Sequence, residues 1–258
     1  MRDYKIRLGS ARIRDCQSYS QSAFNPWICG WNHRHNRMTE DVMKILSVNV
    51  GLPREVTWQA KLVTTGIFKE PIKGRLMMRT LNLDGDQQAD LTVHGGVSKA
   101  VYLYPSEHYS YWRSELPGMD LPWGMFGENF TTEGLLENAV YIGDRFRIGE
   151  TEVMVTEPRM PCYKLGIKFG RADIIKRFLA SRRTGFYVAV TREGMVGAGD
   201  AVELVGHEQQ DISVADITRL YAFDKDDVNS LRQATQIEAL PESWKGYFRH
   251  QLERQTEQ

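Results

Sequence analysis

Apolar and polar residues alternate along much of the chain between residues 44 and 206, which predicts a mainly β region. The alternation begins abruptly at residues 42–50, and in residues 151–156 it places Val153 and Val155 on one face. Short strands of this kind, unevenly spaced and separated by turns, favour a barrel or a sandwich over repeated βαβ units. The predicted fold class is mainly β with α (α+β).

Turn and helix signals lie within this β region. Gly143-Asp144, in the middle of residues 140–148, predicts a β-hairpin. One helix is predicted after Ser106, which would be its N-cap, and a second over residues 171–183. The apolar positions of these helices are Tyr109, Trp112 and Leu116 in the first and Ile174, Ile175, Phe178 and Leu179 in the second.

The pattern changes after Gly206 to that of three short helices. Ser213 and Asp216 have the spacing of a capping box at the start of the first. Apolar residues recur at every fourth position of the third, at Trp244, Phe248 and Leu252. The helices would cover a face of the barrel or mediate a homodimer, and we expect them to support the fold rather than the chemistry. Contact with a nucleic acid polymer is disfavoured by three acids, Asp224, Asp226 and Asp227.

The N-terminal residues 1–42 differ from the rest of the chain. They are rich in Arg, Ser, Asn and Gln, and they show no sustained period of an amphipathic helix or strand. We expect a disordered, dispensable extension. The predicted organisation is therefore an extension at 1–42, a β-barrel domain at 43–206 and a three-helix domain at 207–258.

Composition and charge exclude several classes of protein. Lys and Arg together equal Asp and Glu at 33 each among 258 residues, so no net field favours nucleic acid or a membrane surface. No apolar run reaches the length of a transmembrane helix, and the N-terminus lacks the apolar core of a signal peptide. Three cysteines, an odd and sparse set, favour a reducing, cytoplasmic location.

Cys162 is the strongest candidate for chemistry. It lies between prolines and basic residues in the run Pro-Arg-Met-Pro-Cys-Tyr-Lys at residues 158–164. Prolines end a β ladder and stiffen the chain, so Cys162 should occupy a rigid loop that leaves a strand. Arg159 and Lys164 would favour its thiolate, the form that attacks electrophiles and binds metals. The alternative is a buried structural cysteine.

Two further polar runs are unusual for plain packing. His94 is followed by two glycines and then by Lys99, and backbone N–H groups in such a turn can cradle an anion. A turn histidine that bonds the local backbone is the alternative. Glu128 and Asn129 lie in a turn bounded by glycines, where capping of the turn is the alternative to ligand binding.

Taken in order, these runs resemble the MOSC domain, and most closely its YiiM-like branch. The resemblance covers about residues 44–206, and the three C-terminal helices look like the small helical domain of YiiM-like members. The motifs that carry it are Gly85-Asp86 with Gln87-Gln88-Ala89-Asp90, His94-Gly95-Gly96, Tyr104-Pro105 with Glu107-His108-Tyr109, Phe126-Gly127-Glu128-Asn129, Gly143-Asp144, and Pro158-Arg159 through Pro161-Cys162-Tyr163-Lys164.

The resemblance implies a MOSC-type β-barrel that carries molybdenum cofactor (molybdopterin). By this resemblance, Cys162 matches the family's cysteine that binds the metal, and a soft thiolate sulfur is a suitable ligand for a molybdenum centre. Related enzymes reduce N-hydroxylated compounds, such as hydroxylaminopurines or amidoximes, to amines. Candidates for orienting pterin, phosphate or substrate are Arg159, His94, Lys99, Asn129 and Lys164. The family is also associated with pyridoxal phosphate, but the sequence singles out no lysine as a Schiff-base former.

The residues themselves leave two other functions open. Cys162 could carry a persulfide as a sulfurtransferase, which needs the same thiolate but no bound metal. Alternatively, a groove around His94 and Asn129 could bind a small anion without catalysis. The reductase hypothesis requires an external electron-donor protein, because no iron–sulfur, dinucleotide or flavin motif is visible in the sequence.

Overall fold

The computed structural model describes residues 43–89, 95–207 and 212–256. The predicted extension at 1–42 and the candidate His94 lie outside these residues. Twelve strands occur in the described part: β1 Lys44–Val50, β2 Arg54–Trp58, β3 Lys61–Thr65, β4 Glu70–Pro71, β5 Arg75–Met78, β6 Val101–Pro105, β7 Phe130–Glu133, β8 Arg145–Ile148, β9 Thr151–Pro158, β10 Phe186–Arg192, β11 Gly194–Gly197 and β12 Val202–Gly206. Six α-helices accompany them: α1 Glu107–Glu115, α2 Tyr163–Phe169, α3 Ile174–Ser181, α4 Val214–Ala222, α5 Val228–Gln236 and α6 Glu242–Thr256.

Eight strands form one large sheet in the order β12-β8-β9-β10-β6-β7-β1-β4, which confirms the predicted α+β class. Its pairs are antiparallel except β6 with β7, which run parallel. The sheet curls until β1 meets the chain that enters β12, where Lys44 forms a bridge with Ala201. Ile45 N donates to Asp200 O at 2.9 Å at the same seam. Strands β1 and β12 are thus joined by a bridge rather than by a continuous strand ladder, so the described strands form a large sheet and not the closed barrel that was predicted.

The prediction of a β-hairpin at residues 140–148 is wrong. Asp144 accepts a hydrogen bond from Tyr141 N at 2.8 Å, so the chain makes a tight turn that the Asp side chain closes. Tyr141 forms an isolated bridge with Ser213 instead of a strand. The hairpin lies one turn later, where β8 pairs with β9.

The two predicted helices of the β region are present, with shorter bounds for the second. Helix α1 begins after Ser106 as expected, but the Ser106 side chain makes no capping hydrogen bond, because the residue already has helical dihedral angles. Helix α3 spans Ile174–Ser181 instead of residues 171–183. Both helices pack their apolar faces into an aromatic core that includes Trp112, Phe126 and Phe178.

The three predicted C-terminal helices are present as α4, α5 and α6. The capping box is confirmed, since Ser213 Oγ accepts from Asp216 N at 3.1 Å and Asp216 Oδ2 accepts from Ser213 N at 3.2 Å. The helices share one apolar core with the strands: Ile217, Leu231 and Phe248 belong to the same cluster as the sheet side chains. They therefore cover the sheet. In the described residues, no helix has the length and apolarity to cross a membrane.

Phe248→Ala is predicted to lower the free energy of unfolding by about 3–5 kcal/mol, because the ring is fully buried and its removal leaves a cavity. Urea denaturation measures the change. His250→Ala, an exposed site on the same helix, is the control and should change stability by less than about 0.5 kcal/mol. A loss below about 1 kcal/mol for Phe248→Ala would contradict the packing of the helices on the sheet.

Candidate active site around Cys162

Cys162 lies where β9 has ended and α2 begins. Strand β9 ends at Pro158, and Cys162 has extended dihedral angles directly before the first residue of α2. Its carbonyl oxygen accepts from Leu165 N at 2.9 Å, which starts the helix. The loop before it is fixed by Arg159 N, which donates to Gly185 O at 3.2 Å. The expected loop after the strand is present, but the helix that follows it was not predicted.

A cleft of about 640 Å³, part of it open solvent, lies beside the Cys162 side chain. Five of the six predicted site residues line it: Cys162, Arg159, Lys99, Asn129 and Lys164. The structure therefore brings together residues that are up to 65 positions apart in the sequence, from 99 to 164.

Arg159 is the most deeply buried cation of the cleft, at 5% exposure. Its guanidinium lies 5.4 Å from the Tyr102 ring centre and 5.0 Å from that of Phe178. Burial opposes its charge, but Tyr102, Tyr187 and Cys162 outweigh this, so the Arg159 pKa is raised above its usual value. Nη1 is buried and has no hydrogen-bond partner among the described residues. Such a donor is rarely left unsatisfied, and an anion in the cleft would satisfy it.

Three lysines also line the cleft, of which Lys69 is paired with Asp86 and Lys99 lies 3.6 Å from Glu157. Lys69 and Lys164 are both 8% exposed, and Lys99 lies at the end of the helical turn Val97–Lys99. Gly96, which precedes this turn, has a φ of 96°, a conformation that glycine adopts readily. No acidic side chain is among the described residues that line the cleft. In a chain with equal numbers of acids and bases, this local excess of cations favours an anionic ligand.

Lys69 was not predicted as a site residue. It forms a buried ion pair with Asp86, 17 residues later, and burial lowers its pKa despite that partner. Asp86 also accepts from Gly51 N at 2.9 Å. Lys69 belongs to none of the sequence motifs, and only the fold brings it to the Asp86 motif.

Asn129 lines the cleft, but its amide is already engaged within the protein. Oδ1 accepts from Tyr102 N at 3.1 Å, and Nδ2 donates to Asp86 Oδ2 at 2.9 Å and to Asn49 O at 3.3 Å. Both amide N–H donors are therefore used. This geometry suits a residue that positions Asp86 and the wall of the cleft, and cofactor binding by Asn129 stays a prediction.

The neighbouring Glu128 caps a turn. Its carboxylate accepts from Gly124 N at 2.8 Å and from Phe126 N at 3.0 Å. It also accepts from Thr131 Oγ1 at 3.0 Å and from the Tyr109 hydroxyl. Burial raises the Glu128 pKa above its usual value, although the hydrogen bonds from Tyr109, Gly124 and Thr131 oppose the rise. The capping interpretation of this motif agrees with the structure.

A metal ion would need a ligand other than protein side chains in this cleft. No group of three or more His, Cys, Asp or Glu side chains in the described ranges is placed to hold a metal ion. A metal bound at Cys162 would therefore take its remaining ligands from a bound cofactor or from water.

Two domain families match the chain. The MOSC domain matches residues 90–203, and the YiiM-like 3-alpha helix domain matches residues 212–255. YflK of Bacillus subtilis is 39% identical over 217 residues, which are 84% of this chain and 98% of that protein. YiiM of Escherichia coli is 38% identical over 185 residues, 70% of this chain and 81% of that protein.

A fungal protein and a solved structure extend the comparison. A protein of Gibberella moniliformis named as a reductase is 32% identical over 178 residues, 68% of this chain and 32% of that protein. The crystal structure of YiiM from Geobacillus stearothermophilus matches with a TM-score of 0.69 and 33% identity, over 81% of this chain and 99% of that one. The chain belongs to the MOSC domain family, in its YiiM-like branch.

Proposed function

We propose that this protein is an oxidoreductase that binds molybdenum cofactor in the Cys162 cleft and reduces N-hydroxylated compounds to amines. The MOSC family is associated with this cofactor, and one relative is named as a reductase. The observation that carries the proposal is the unpartnered, buried Nη1 of Arg159 in a cleft that is rich in cations and contains a thiol.

The cleft residues fit the cofactor by their chemistry. The group carries a phosphate, for which the buried Arg159 guanidinium and the Lys164 ammonium are suitable donors. It also carries a metal with sulfur donors, for which Cys162 is a matching soft ligand. When bound, the cofactor supplies the two-electron chemistry that, with two protons, converts an N–OH group into N–H and water.

The chain's own residues would bind and orient the reactants. Arg159 and Lys164 would hold the anionic part of the cofactor, and Lys99, which also lines the cleft, would neutralise further charge. Asn129 would keep Asp86 and Lys69 in place through its amide. Three cysteines in the whole sequence are too few for a four-cysteine iron–sulfur cluster, so electrons would come from an external donor protein.

Arg159→Ala is predicted to weaken cofactor retention by about tenfold to a hundredfold, because one charge-assisted contact contributes about 1.5–3 kcal/mol. Arg159→Lys should retain an intermediate amount, because it keeps the charge but loses the planar fork. Molybdenum and pterin per chain are measured after extensive desalting.

Arg171→Ala is the matched control, since this exposed arginine pairs with Asp173 away from the cleft. Its cofactor content should equal that of the wild type. An Arg159→Ala protein with unchanged molybdenum and pterin would contradict the role of this residue.

A further inference from the structure

A second groove lies on the helical side of Cys162. It contains about 920 Å³ of space, part of it open solvent, and it shares Lys99, Met160, Cys162 and Tyr187 with the first cleft. Its outer wall comes from the C-terminal helices, through Tyr221, Ser243, Trp244 and Tyr247. Cys162 therefore lines two spaces whose other residues differ.

The wall of this groove is aromatic. The ring centre of Tyr221 lies 5.1 Å from that of Trp244 and 5.0 Å from that of Tyr247. Tyr187 lines the groove from the sheet side. Aromatic faces of this kind bury large apolar area and pack against planar rings.

Glu157 is the acidic side chain of the groove. Its Oε2 accepts from Trp244 Nε1 at 2.6 Å and lies 3.6 Å from Lys99 Nζ. Its other oxygen, Oε1, is buried and has no hydrogen-bond partner in the described part of the chain. The side chain is 4% exposed, so an unused acceptor here carries a desolvation cost that a ligand donor would remove.

The two spaces differ in charge in a way that separates their ligands. The first cleft has cations and no described acid, as an anionic cofactor requires. The groove pairs Glu157 with Lys99 and is otherwise polar or apolar, as suits a neutral or cationic planar molecule. Both spaces reach Cys162, so each ligand could contact the same reacting centre.

We infer that this groove is the substrate subsite, that it binds the planar ring of an aromatic N-hydroxylated compound, and that Glu157 accepts a hydrogen bond from the substrate nitrogen. This inference rests on the proposed function. It also departs from the expectation that the C-terminal helices serve the fold alone, because Trp244 and Tyr247 become specificity-determining residues.

The test compares benzamidoxime, which has a ring, with acetamidoxime, which carries the same functional group without one. Cofactor-loaded wild type, Glu157→Gln and Tyr247→Leu are assayed for KM and kcat with a chemical reductant. Molybdenum per chain and Tm confirm that each variant is loaded and folded. Calorimetry with benzamidine, the amidine that reduction of benzamidoxime yields, measures ring binding independently of turnover. Glu203→Gln is the control, since Glu203 is exposed on β12.

Glu157→Gln should raise KM for benzamidoxime and the Kd of benzamidine by about tenfold, as expected for one lost charge-assisted bond. Tyr247→Leu should raise the benzamidoxime KM about fivefold and the acetamidoxime KM less than twofold, because only the ring loses its aromatic wall. Glu203→Gln should match the wild type.

The subsite would be overturned if the ratio of the benzamidoxime KM to the acetamidoxime KM were the same in wild type and in Tyr247→Leu. A wild type that does not bind benzamidine would overturn it as well. If Glu157→Gln loses stability, the KM ratio of the two substrates in Tyr247→Leu decides whether the subsite is present. A loaded wild type that binds benzamidine but reduces neither amidoxime would contradict the proposed reaction and leave the ring subsite supported.

Discussion

Cys162→Ser is expected to abolish the reduction of N-hydroxylated substrates and to remove most molybdenum from the purified protein. Serine has nearly the same size as cysteine but offers a hard, neutral hydroxyl in place of a soft thiolate. The backbone contact of residue 162 to Leu165 N is kept, so the fold should be unaffected and Tm should change by only a few degrees. Turnover with a chemical reductant and molybdenum per chain are measured together.

Cys29→Ser is the matched control, because Cys29 lies in the predicted N-terminal extension, far from the Cys162 motif in sequence. It should retain both metal and turnover. A Cys162→Ser protein with wild-type metal content and full turnover would contradict the role of Cys162. A persulfide trapped on Cys162 in a wild type that lacks molybdenum would instead support the sulfurtransferase alternative.

Asp86→Ala is expected to lower the free energy of unfolding by about 3–5 kcal/mol, because it leaves the buried Lys69 ammonium without its acidic partner. It also removes the acceptor for Gly51 N and for Asn129 Nδ2. Urea denaturation measures the loss. Asp84→Ala is the control: Asp84 is exposed and pairs with exposed Arg79, so its removal should cost less than about 1 kcal/mol.

The same variant should become more stable as the pH rises. Burial already lowers the Lys69 pKa, and loss of Asp86 removes the main interaction that raises it. The folded variant then binds fewer protons than the unfolded chain between the Lys69 pKa and the ordinary lysine pKa. Its stability therefore increases with pH across that interval. Stability that stays flat or falls there would contradict an unpaired Lys69, as would a loss below about 1 kcal/mol at neutral pH.

Local signals in the sequence predicted the elements that depend on local chemistry. The capping box at Ser213, the helix after Ser106 and the strand before Pro158 are set by neighbouring residues, and each is present. The interpretation of Gly143-Asp144 as a hairpin turn failed because the Asp144 side chain bonds the backbone of Tyr141. Helix α2 was missed because it is short and follows the prolines that suggested a loop.

The candidate site was only partly predictable for a different reason. Cys162 and Arg159 belong to a motif that is unusual by itself, so the sequence identifies them. Lys69 lies in no such motif. It reaches the cleft because β1 pairs with β4 and because its ammonium forms an ion pair with Asp86. Glu157 directly precedes the motif, but its significance depends on Trp244, 87 residues later.

We propose above that this cleft holds molybdenum cofactor with Cys162 as a metal ligand. Elemental analysis with pterin extraction, on wild-type protein from a host that makes the cofactor, tests it most directly. We predict stoichiometric molybdenum and pterin in the wild type and their loss in Cys162→Ser. Folded wild-type protein that contains neither molybdenum nor pterin would contradict the claim.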